Sequence, residues 1–316
     1  MSEMIDESFN EVSKEVSDKP SVDVPQLNGL IRKHAQTDGV HSTMVPSLYL
    51  VRESEVSEPV ARVNEISFCL IVQGEKEVWL GEQRFRYGPG HCIVASVELP
   101  VTGQVVQASA ESPYLAFKIE FTPAEVLDVM NHANLKPIRD KKAKRAMFVG
   151  DAEKPLLDAA VRLGSLLDQP QHIPVLAPLF KKELLYWVLQ GPHGDSLKQM
   201  AAEGSSARRI RTVIEHILAN YDRTLPVEEL ARLANLGVSS LHRQFKEVTA
   251  MSPIQFQKQL RLQEARRLLL AESTDIAGIA FRVGYESQSQ FSREYSRLFG
   301  SSPRADIRRM KERYGG

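Results

Sequence analysis

Two stretches of the chain, 49 residues apart, carry the same succession of helix, turn and helix signals. In each, apolar residues at helical spacing precede a residue suited to a left-handed turn, Asn235 in the first stretch and Gly284 in the second. A second amphipathic segment follows, and each stretch closes on Ser-Pro, at 252–253 and 302–303. The apolar residues before the turns are Leu230, Ala231 and Ala234, and Ile279, Ala280 and Val283. This pattern predicts a duplicated helix–turn–helix.

The segment after each turn predicts a short helix with one apolar and one polar face, the first beginning near Val238. The polar faces carry Ser239, Ser240, His242, Arg243 and Lys246 in the first unit, and Gln288, Ser289, Gln290, Ser292 and Arg293 in the second. Base edges and phosphates bind hydroxyl, amide and guanidinium groups, and a helix–turn–helix presents such a face to the major groove. We therefore predict that these residues contact double-stranded DNA. The alternatives are a solvated helix surface and, for Arg293, a phosphate contact without base readout.

The segment between the two units, residues 254–270, consists of strong helix formers with apolar residues near a 3.6-residue period. One helix of that extent would be about 25 Å long, at roughly 1.5 Å per residue. Such a helix would hold the two units near one DNA turn apart, about 34 Å. A monomer is thus predicted to reach two successive major grooves.

Residues from about 206 to 308 resemble the DNA-binding domain of the AraC/XylS family of transcriptional regulators, through both units, the connecting helix and the closing FGSSP. The segments VELPVTG, which ends at Gly103, and PVLAPLFKKELLYWVLQGP, at 174–192, resemble the N-terminal domain of AraC-type regulators. This resemblance implies a cupin-like barrel with a sensor role and a C-terminal DNA-binding domain. It also implies that an effector alters the DNA-bound geometry or the contact with RNA polymerase.

Position by position, the family resemblance places Ser239, His242 and Arg243 where base edges are contacted. The sequence departs from the family pattern at two positions of the first unit. Asn235 replaces the usual turn glycine, which Asn tolerates because it adopts positive φ more readily than other residues with a side chain. Gly237 replaces the common Ser cap, and glycine caps a helix only slightly less well. A less rigid first unit is expected.

The charge of the chain is divided unequally, although 40 Lys and Arg balance 40 Asp and Glu. From Ser205 onward there are 19 basic and 12 acidic residues, so the remaining 21 and 28 give the preceding part a net charge of −7. A basic C-terminal half suits a polyanion. No apolar run reaches the ~18 residues of a membrane span, and the N-terminus lacks a signal-peptide pattern, so a cytoplasmic protein is predicted.

We predict an α+β protein with an acidic mobile tail at 1–25, a sensor and association domain at 26–198, a linker at 199–206 and the DNA-binding domain at 207–316. Short β-prone runs from 44 to 121 indicate an antiparallel barrel or jelly roll, with a tight hairpin at Gly81. Helical patterns from 123 to 190, with prolines as boundaries or early helix positions, should pack on the barrel and provide a homodimer interface.

The N-terminal domain offers weaker functional signals. Phe68, Leu70, Trp79, Phe85 and Phe117 could line an effector pocket or simply form the core. Cys69 and Cys92 are expected to be small buried hydrophobes, the sharper hypothesis being a thiolate that reacts with an electrophilic effector.

Only His91, with Glu98 nearby, could begin a metal site, and a structural role for His91 is favoured over a ligand contact. We therefore predict no metal, no cofactor and no catalysis. Two rivals to an effector-responsive regulator are a constitutive DNA-binding protein with an inert dimerisation domain and a cupin enzyme with a DNA anchor.

Overall fold

The computed structural model describes residues 23–136, 144–192, 194–201, 205–271 and 275–314. The N-terminal part is built on antiparallel strands, which are β1 Gly39–Ser42, β2 Leu48–Glu53, β3 Val60–Asn64, β4 Ser67–Gln73, β5 Glu75–Leu80, β6 Gln83–Tyr87, β7 His91–Ala95, β8 Leu99–Gln107, β9 Tyr114–Glu120 and β10 Met147–Asp151. Five helices accompany them, α1 Asp23–His34, α2 Pro123–His132, α3 Lys154–Ser165, α4 Ile173–Gln190 and α5 Gly194–Ala201.

The strands form two sheets. The order in the larger sheet is β1-β2-β9-β4-β7-β10, and the order in the smaller sheet is β3-β8-β5-β6. Lys76 of β5 lies 5.6 Å from the ring centroid of Tyr114 of β9, so the two sheets face each other across an interior. The predicted hairpin is confirmed, because Gly81 links β5 to β6 with a φ of 59°.

The opposite face of the larger sheet packs against helices. Buried residues of β2, β4 and β9 form one apolar cluster with α1, α3 and α4. Alternation along a strand explains this division, since successive side chains point to opposite faces of a sheet. Helix α2 begins with a capping box, in which the Thr122 hydroxyl accepts from the Glu125 amide and the Glu125 carboxylate accepts from the Thr122 amide.

Several element boundaries differ from the predictions. Pro178 lies inside α4 rather than at a boundary, where it removes one backbone hydrogen bond. Strands β1, β3 and β10 lie in segments that showed no clear strand pattern. The predicted linker at 199–206 overlaps the end of α5 and the start of the next helix, and its residues 202–204 lie outside the described residues. The predicted mobile tail lies outside them up to residue 22.

The C-terminal part is helical. Its elements are α6 Ser206–Ala219, α7 Val227–Leu233, α8 Val238–Thr249, α9 Pro253–Ala271, α10 Ile276–Arg282, α11 Gln288–Phe299 and α12 Pro303–Tyr314. The two predicted helix–turn–helix units are confirmed as α7–α8 and α10–α11, and the predicted connecting helix is α9. The first helices of the two units start 49 residues apart, and the second helices start 50 residues apart. The turn of the second unit is therefore one residue longer. The α+β fold class is confirmed.

The two parts of the protein are in contact through the second helix of the first unit. The carbonyls of Lys246 and Val248, near the end of α8, accept hydrogen bonds from the Arg145 side chain at 2.7 Å and the Ala146 amide at 3.0 Å. The carbonyl of Val101 in β8 accepts from Gln263 of α9 at 3.4 Å. A change in the strand domain can therefore be transmitted directly to α8 and α9.

Candidate nucleic-acid interface

In each unit, one turn residue has the left-handed backbone conformation, and this residue sets the direction of the second helix. Gly284 has a φ of 89°, and a Cβ there would collide with the carbonyl oxygen of Asp222. Only glycine meets both requirements. Asn235 in the first unit has a φ of 52°, as expected for an Asn in place of the family glycine.

Helix α8 turns its predicted DNA-contacting side chains away from the protein interior. Ser239, Arg243 and Lys246 are exposed, while Ser240 and His242 are half-buried. The Arg243 side chain is 61% exposed, and its guanidinium lies 3.4 Å from the Glu247 carboxylate. This exposed pair contributes little to stability, so Arg243 can exchange Glu247 for a base or a phosphate at small cost.

Helix α11 presents a similar polar face, and its N-terminus is better capped than that of α8. The Ser287 hydroxyl accepts a hydrogen bond from the Gln290 amide, whereas Gly237 leaves α8 without a side-chain cap. Gln288, Ser289, Gln290 and Arg293 are exposed, and Ser292 is half-buried. All ten predicted DNA-contacting side chains thus lie outside the buried core.

Arg261 of α9 joins the two units, a role that the sequence pattern did not reveal. Its guanidinium donates to the carbonyls of Tyr221 at 2.6 Å and Arg223 at 2.9 Å, both in the loop before α7. It also donates to the carbonyl of Gly284 in the turn of the second unit at 2.7 Å. One side chain therefore fixes both units relative to the connecting helix. Spacing alone could not have identified it, because its acceptors are backbone groups distant in sequence.

The core of the second unit contains a buried ion pair. Arg266 of α9 donates to both carboxylate oxygens of Asp306 of α12, at 2.8 and 3.0 Å. The hydroxyl of Tyr295 of α11 donates to the same carboxylate at 2.8 Å, and burial together with Asp306 raises the pKa of this hydroxyl. The pair therefore ties α11 to α9 and α12.

The effector-pocket candidates do not line one common cavity. Phe68, Leu70, Cys92 and Phe117 belong to the apolar cluster between the larger sheet and the helices, so they form part of the core there. Trp79 lies beside Arg84, whose guanidinium is 5.7 Å from its ring centroid. Phe85 and Cys69 pack against a different apolar cluster, which includes Ile71, Val78 and Tyr114. Alternation along the strands separates these residues onto different faces.

The remaining candidates are His91 and the two thiols. The His91 ring contacts the Gly88 carbonyl at 3.2 Å and the Asp151 carboxylate at 3.4 Å, which are local structural contacts. Burial raises the pKa of the Cys92 thiol to about 12 and also raises that of Cys69. Both cysteines are therefore thiols near neutral pH, which opposes the thiolate hypothesis.

A cavity of about 560 Å³ lies between the strand domain and α6. Carboxylates from both sides face it, including Glu65, Glu98 and Glu215, with Arg211 of α6 among them. Burial and the neighbouring Glu65 raise the pKa of the Glu98 carboxyl. At this cavity the strand domain also meets α6 of the helical part.

Two features are absent from the part of the chain that the structure describes. Among the described residues, no group of three or more His, Cys, Asp or Glu side chains is arranged to hold a metal ion. None of the described helices has the length and apolar character needed to cross a bilayer.

Comparison with known proteins identifies the family. A model of the AraC-type transcriptional regulator N-terminus matches residues 44–196, and a helix-turn-helix domain model matches residues 230–309. The chain belongs to the AraC family of transcriptional regulators. Among its AraC-family relatives, the activator RhaS of Escherichia coli is 31% identical over 108 residues, which are 34% of this chain and 38% of RhaS. The regulator ExsA of Pseudomonas aeruginosa is 29% identical over 156 residues, or 49% of this chain and 56% of ExsA.

Each of these alignments spans less than two thirds of the relative's own length. Solved structures of ToxT from Vibrio cholerae match a larger share of this chain. One has a TM-score of 0.54 at 11% identity and covers 82% of this chain and 97% of ToxT. Another, of ToxT bound to an unsaturated fatty acid, has a TM-score of 0.53 at 11% identity and covers 83% and 93%. At this identity the likeness shows a shared fold.

Proposed function

We propose that this AraC-family protein is a sequence-specific, effector-responsive transcription regulator whose recognition helices α8 and α11 enter two successive major grooves of one asymmetric promoter site. The observation that carries this proposal is the pairing of two helix–turn–helix units on one connecting helix, each with an exposed polar face. Arg261 supports it further, because it links the turn of one unit to the loop of the other.

We assign base readout first to Arg243 and to the glutamines of α11. Arginine can pair bidentately with guanine and glutamine with adenine, each good pair being worth about 1–3 kcal/mol of discrimination. The hydroxyls of Ser239, Ser240, Ser289 and Ser292, with His242, Lys246 and Arg293, are assigned to the surrounding phosphates and base edges.

We assign the sensor role to the strand domain at 26–198 and the DNA-binding role to 207–316. The contacts of Arg145 and Ala146 with the end of α8 give an effector-driven change a route to the first recognition helix. Val175 and Leu179, one turn apart on α4 and 69% and 56% exposed, support a homodimer through that helix. RNA polymerase is the further partner proposed, with the cytoplasm as the location.

Genome-wide footprinting of the intact protein beside an Arg243→Ala, Arg293→Ala double variant tests the function. We expect discrete asymmetric footprints for the natural protein and their loss for the variant, with both proteins equally folded. Footprints that survive the double substitution would contradict the assignment of α8 and α11 as recognition helices. Footprints insensitive to every growth condition would favour a constitutive regulator instead.

A further inference from the structure

One of the predicted DNA-contacting side chains of α11, Gln290, is held by a carboxylate on the same helix. The amide nitrogen of Gln290 lies 3.3 Å from a carboxylate oxygen of Glu294, which is one helical turn further along. Gln290 is exposed, whereas the Glu294 side chain is only 18% exposed. Because an exposed glutamine has considerable rotamer freedom, this contact restricts a group that would otherwise be mobile.

Two further contacts hold Glu294 in place. The oxygen that accepts from Gln290 also accepts from the Lys258 ammonium of α9 at 2.8 Å. The other oxygen accepts from the Tyr285 hydroxyl at 2.8 Å, and the Tyr285 ring packs edge-on against that of Phe291. Since the carboxylate is tied both to the connecting helix and to the turn of the second unit, it is a fixed acceptor.

The Glu294 carboxyl is ionised near neutral pH. Burial favours its neutral form, but the hydrogen bonds from Lys258, Tyr285 and Gln290 outweigh this effect and lower its pKa. Burial, together with Glu294, raises the pKa of Tyr285, so the phenol stays protonated and donates. An ionised carboxylate accepts hydrogen bonds and donates none. Gln290 must therefore turn its NH₂ group, and not its carbonyl oxygen, toward Glu294.

The oriented amide of Gln290 has one N–H and one carbonyl oxygen left for DNA. Adenine offers N7 as an acceptor and its N6 amino group as a donor in the major groove, so it matches this pair. Guanine offers two acceptors, N7 and O6, and would need both N–H groups of the amide. One of these N–H groups is already bonded to Glu294. The contact therefore favours adenine over guanine.

The first unit has a different arrangement at the corresponding positions. Helices α8 and α11 start 50 residues apart, so Gln244 occupies the position of Glu294, and Ser240 that of Gln290. Gln244 is buried and uncharged. An amide can both donate and accept, so it would not impose one orientation on a neighbouring amide as a carboxylate does. The pairing of Gln290 with Glu294 is thus a property of the second unit alone.

We propose that Glu294 is a positioning residue for DNA recognition, which orients the Gln290 amide so that α11 selects adenine over guanine at one base pair. This inference rests on the proposed role of α11 as a recognition helix. It adds the base that Gln290 selects and the residue that sets the selection. Glu294 acts through Gln290 and needs no contact with DNA of its own. Lys258 offsets its charge, which limits the repulsion of nearby phosphates.

The test measures base preference with the full-length protein. Selection from random duplex DNA defines the site, and Gln290→Ala identifies the base pair that Gln290 reads. Binding is then titrated with two duplexes that carry adenine or guanine at that position and are otherwise identical. The variants are Glu294→Gln, Gln290→Ala and the two combined. Glu286→Gln is the matched control, because it removes the same charge from an exposed residue in the turn before α11.

We expect the natural protein and the Glu286→Gln variant to prefer adenine. Glu294→Gln should lower the ratio of adenine to guanine affinity about two- to tenfold, the effect of losing one hydrogen bond. Removing a charge or loosening α11 changes the affinity for both duplexes equally, so a merely structural role would not alter this ratio. In the Gln290→Ala background, Glu294→Gln should leave the ratio unchanged, because its effect passes through Gln290.

An unchanged ratio in Glu294→Gln, an equal loss in Glu286→Gln, or an effect of Glu294→Gln that persists without Gln290 would overturn the proposal. A preference of the natural protein for guanine would overturn it as well. If Gln290→Ala loses the preference and Glu294→Gln keeps it, the positioning role alone is refuted. If Gln290→Ala keeps every base preference, or no site is selected at all, the inference and the proposed readout by α11 are refuted together.

Discussion

Replacing Asp306 by alanine should selectively open the second helix–turn–helix unit. The Asp306 carboxylate is fully buried and accepts hydrogen bonds from Arg266, Tyr295 and Arg309. Its removal leaves the Arg266 guanidinium, 5% exposed, without a counter-charge. Breaking a buried pair in this way costs about 3–5 kcal/mol. Because α11 is tied to α9 and α12 through this carboxylate, the loss should appear in these helices and spare α7 and α8.

Hydrogen–deuterium exchange resolved by peptide measures this effect. A loss of about 3–5 kcal/mol corresponds to roughly a hundred- to several-thousand-fold faster exchange of amides in α11 and α12. Glu264→Ala is the matched control, because Glu264 lies on the same helix in an exposed pair with Arg267 at 2.6 Å. That control should cost less than about 1 kcal/mol. Equal exchange in the two variants would refute the stabilising role assigned to the buried pair.

Three other substitutions test base readout, the link between the two units and the burial of Lys76. Arg243→Ala should weaken binding to the specific site by about 1–3 kcal/mol and relax the preference at one base pair, and an unchanged preference in a binding-site selection would contradict direct readout. Arg261→Ala should reduce affinity for the complete site while leaving the weaker binding to an isolated half-site intact, as titration of both DNAs will show. If half-site binding falls equally, Arg261 supports a single unit rather than the link between them. Lys76→Met should stabilise the protein by up to about 4 kcal/mol at neutral pH, because burial holds the pKa of Lys76 near 7, well below its unfolded value. The unfolded state binds the extra proton between pH 7 and about 10, so the natural protein should gain stability over that range in urea titrations and the variant should lack this gain.

Sequence patterns were most informative where local signals and burial agree. The recognition helices, the connecting helix and the hairpin at Gly81 follow from apolar periodicity and turn residues, and the structure confirms them. Strand β3 was not predicted, because its inward face carries Val60, Arg62 and Asn64 and so shows no apolar alternation.

Other features depend on contacts between distant segments, which a linear pattern does not show. In the sequence, Arg261 is one of several arginines in a helix-forming stretch. Its role becomes visible only when the structure brings its three backbone acceptors together. The sequence left open whether Phe68 and Phe117 line a pocket or form the core, for a related reason. Both are aromatic residues on strands, but register directs them toward the helices and away from the space between the sheets.

The proposed binding mode has two recognition helices, fixed to one connecting helix, on the same side of the duplex. Its most direct test is the affinity of the protein for its site when about 5 base pairs, half a helical turn, are inserted between the two half-sites. The insertion should lower the affinity to that of a single half-site, because the second groove then faces away from α11. An affinity unchanged by the insertion would show that the two units bind independently, and would contradict this binding mode.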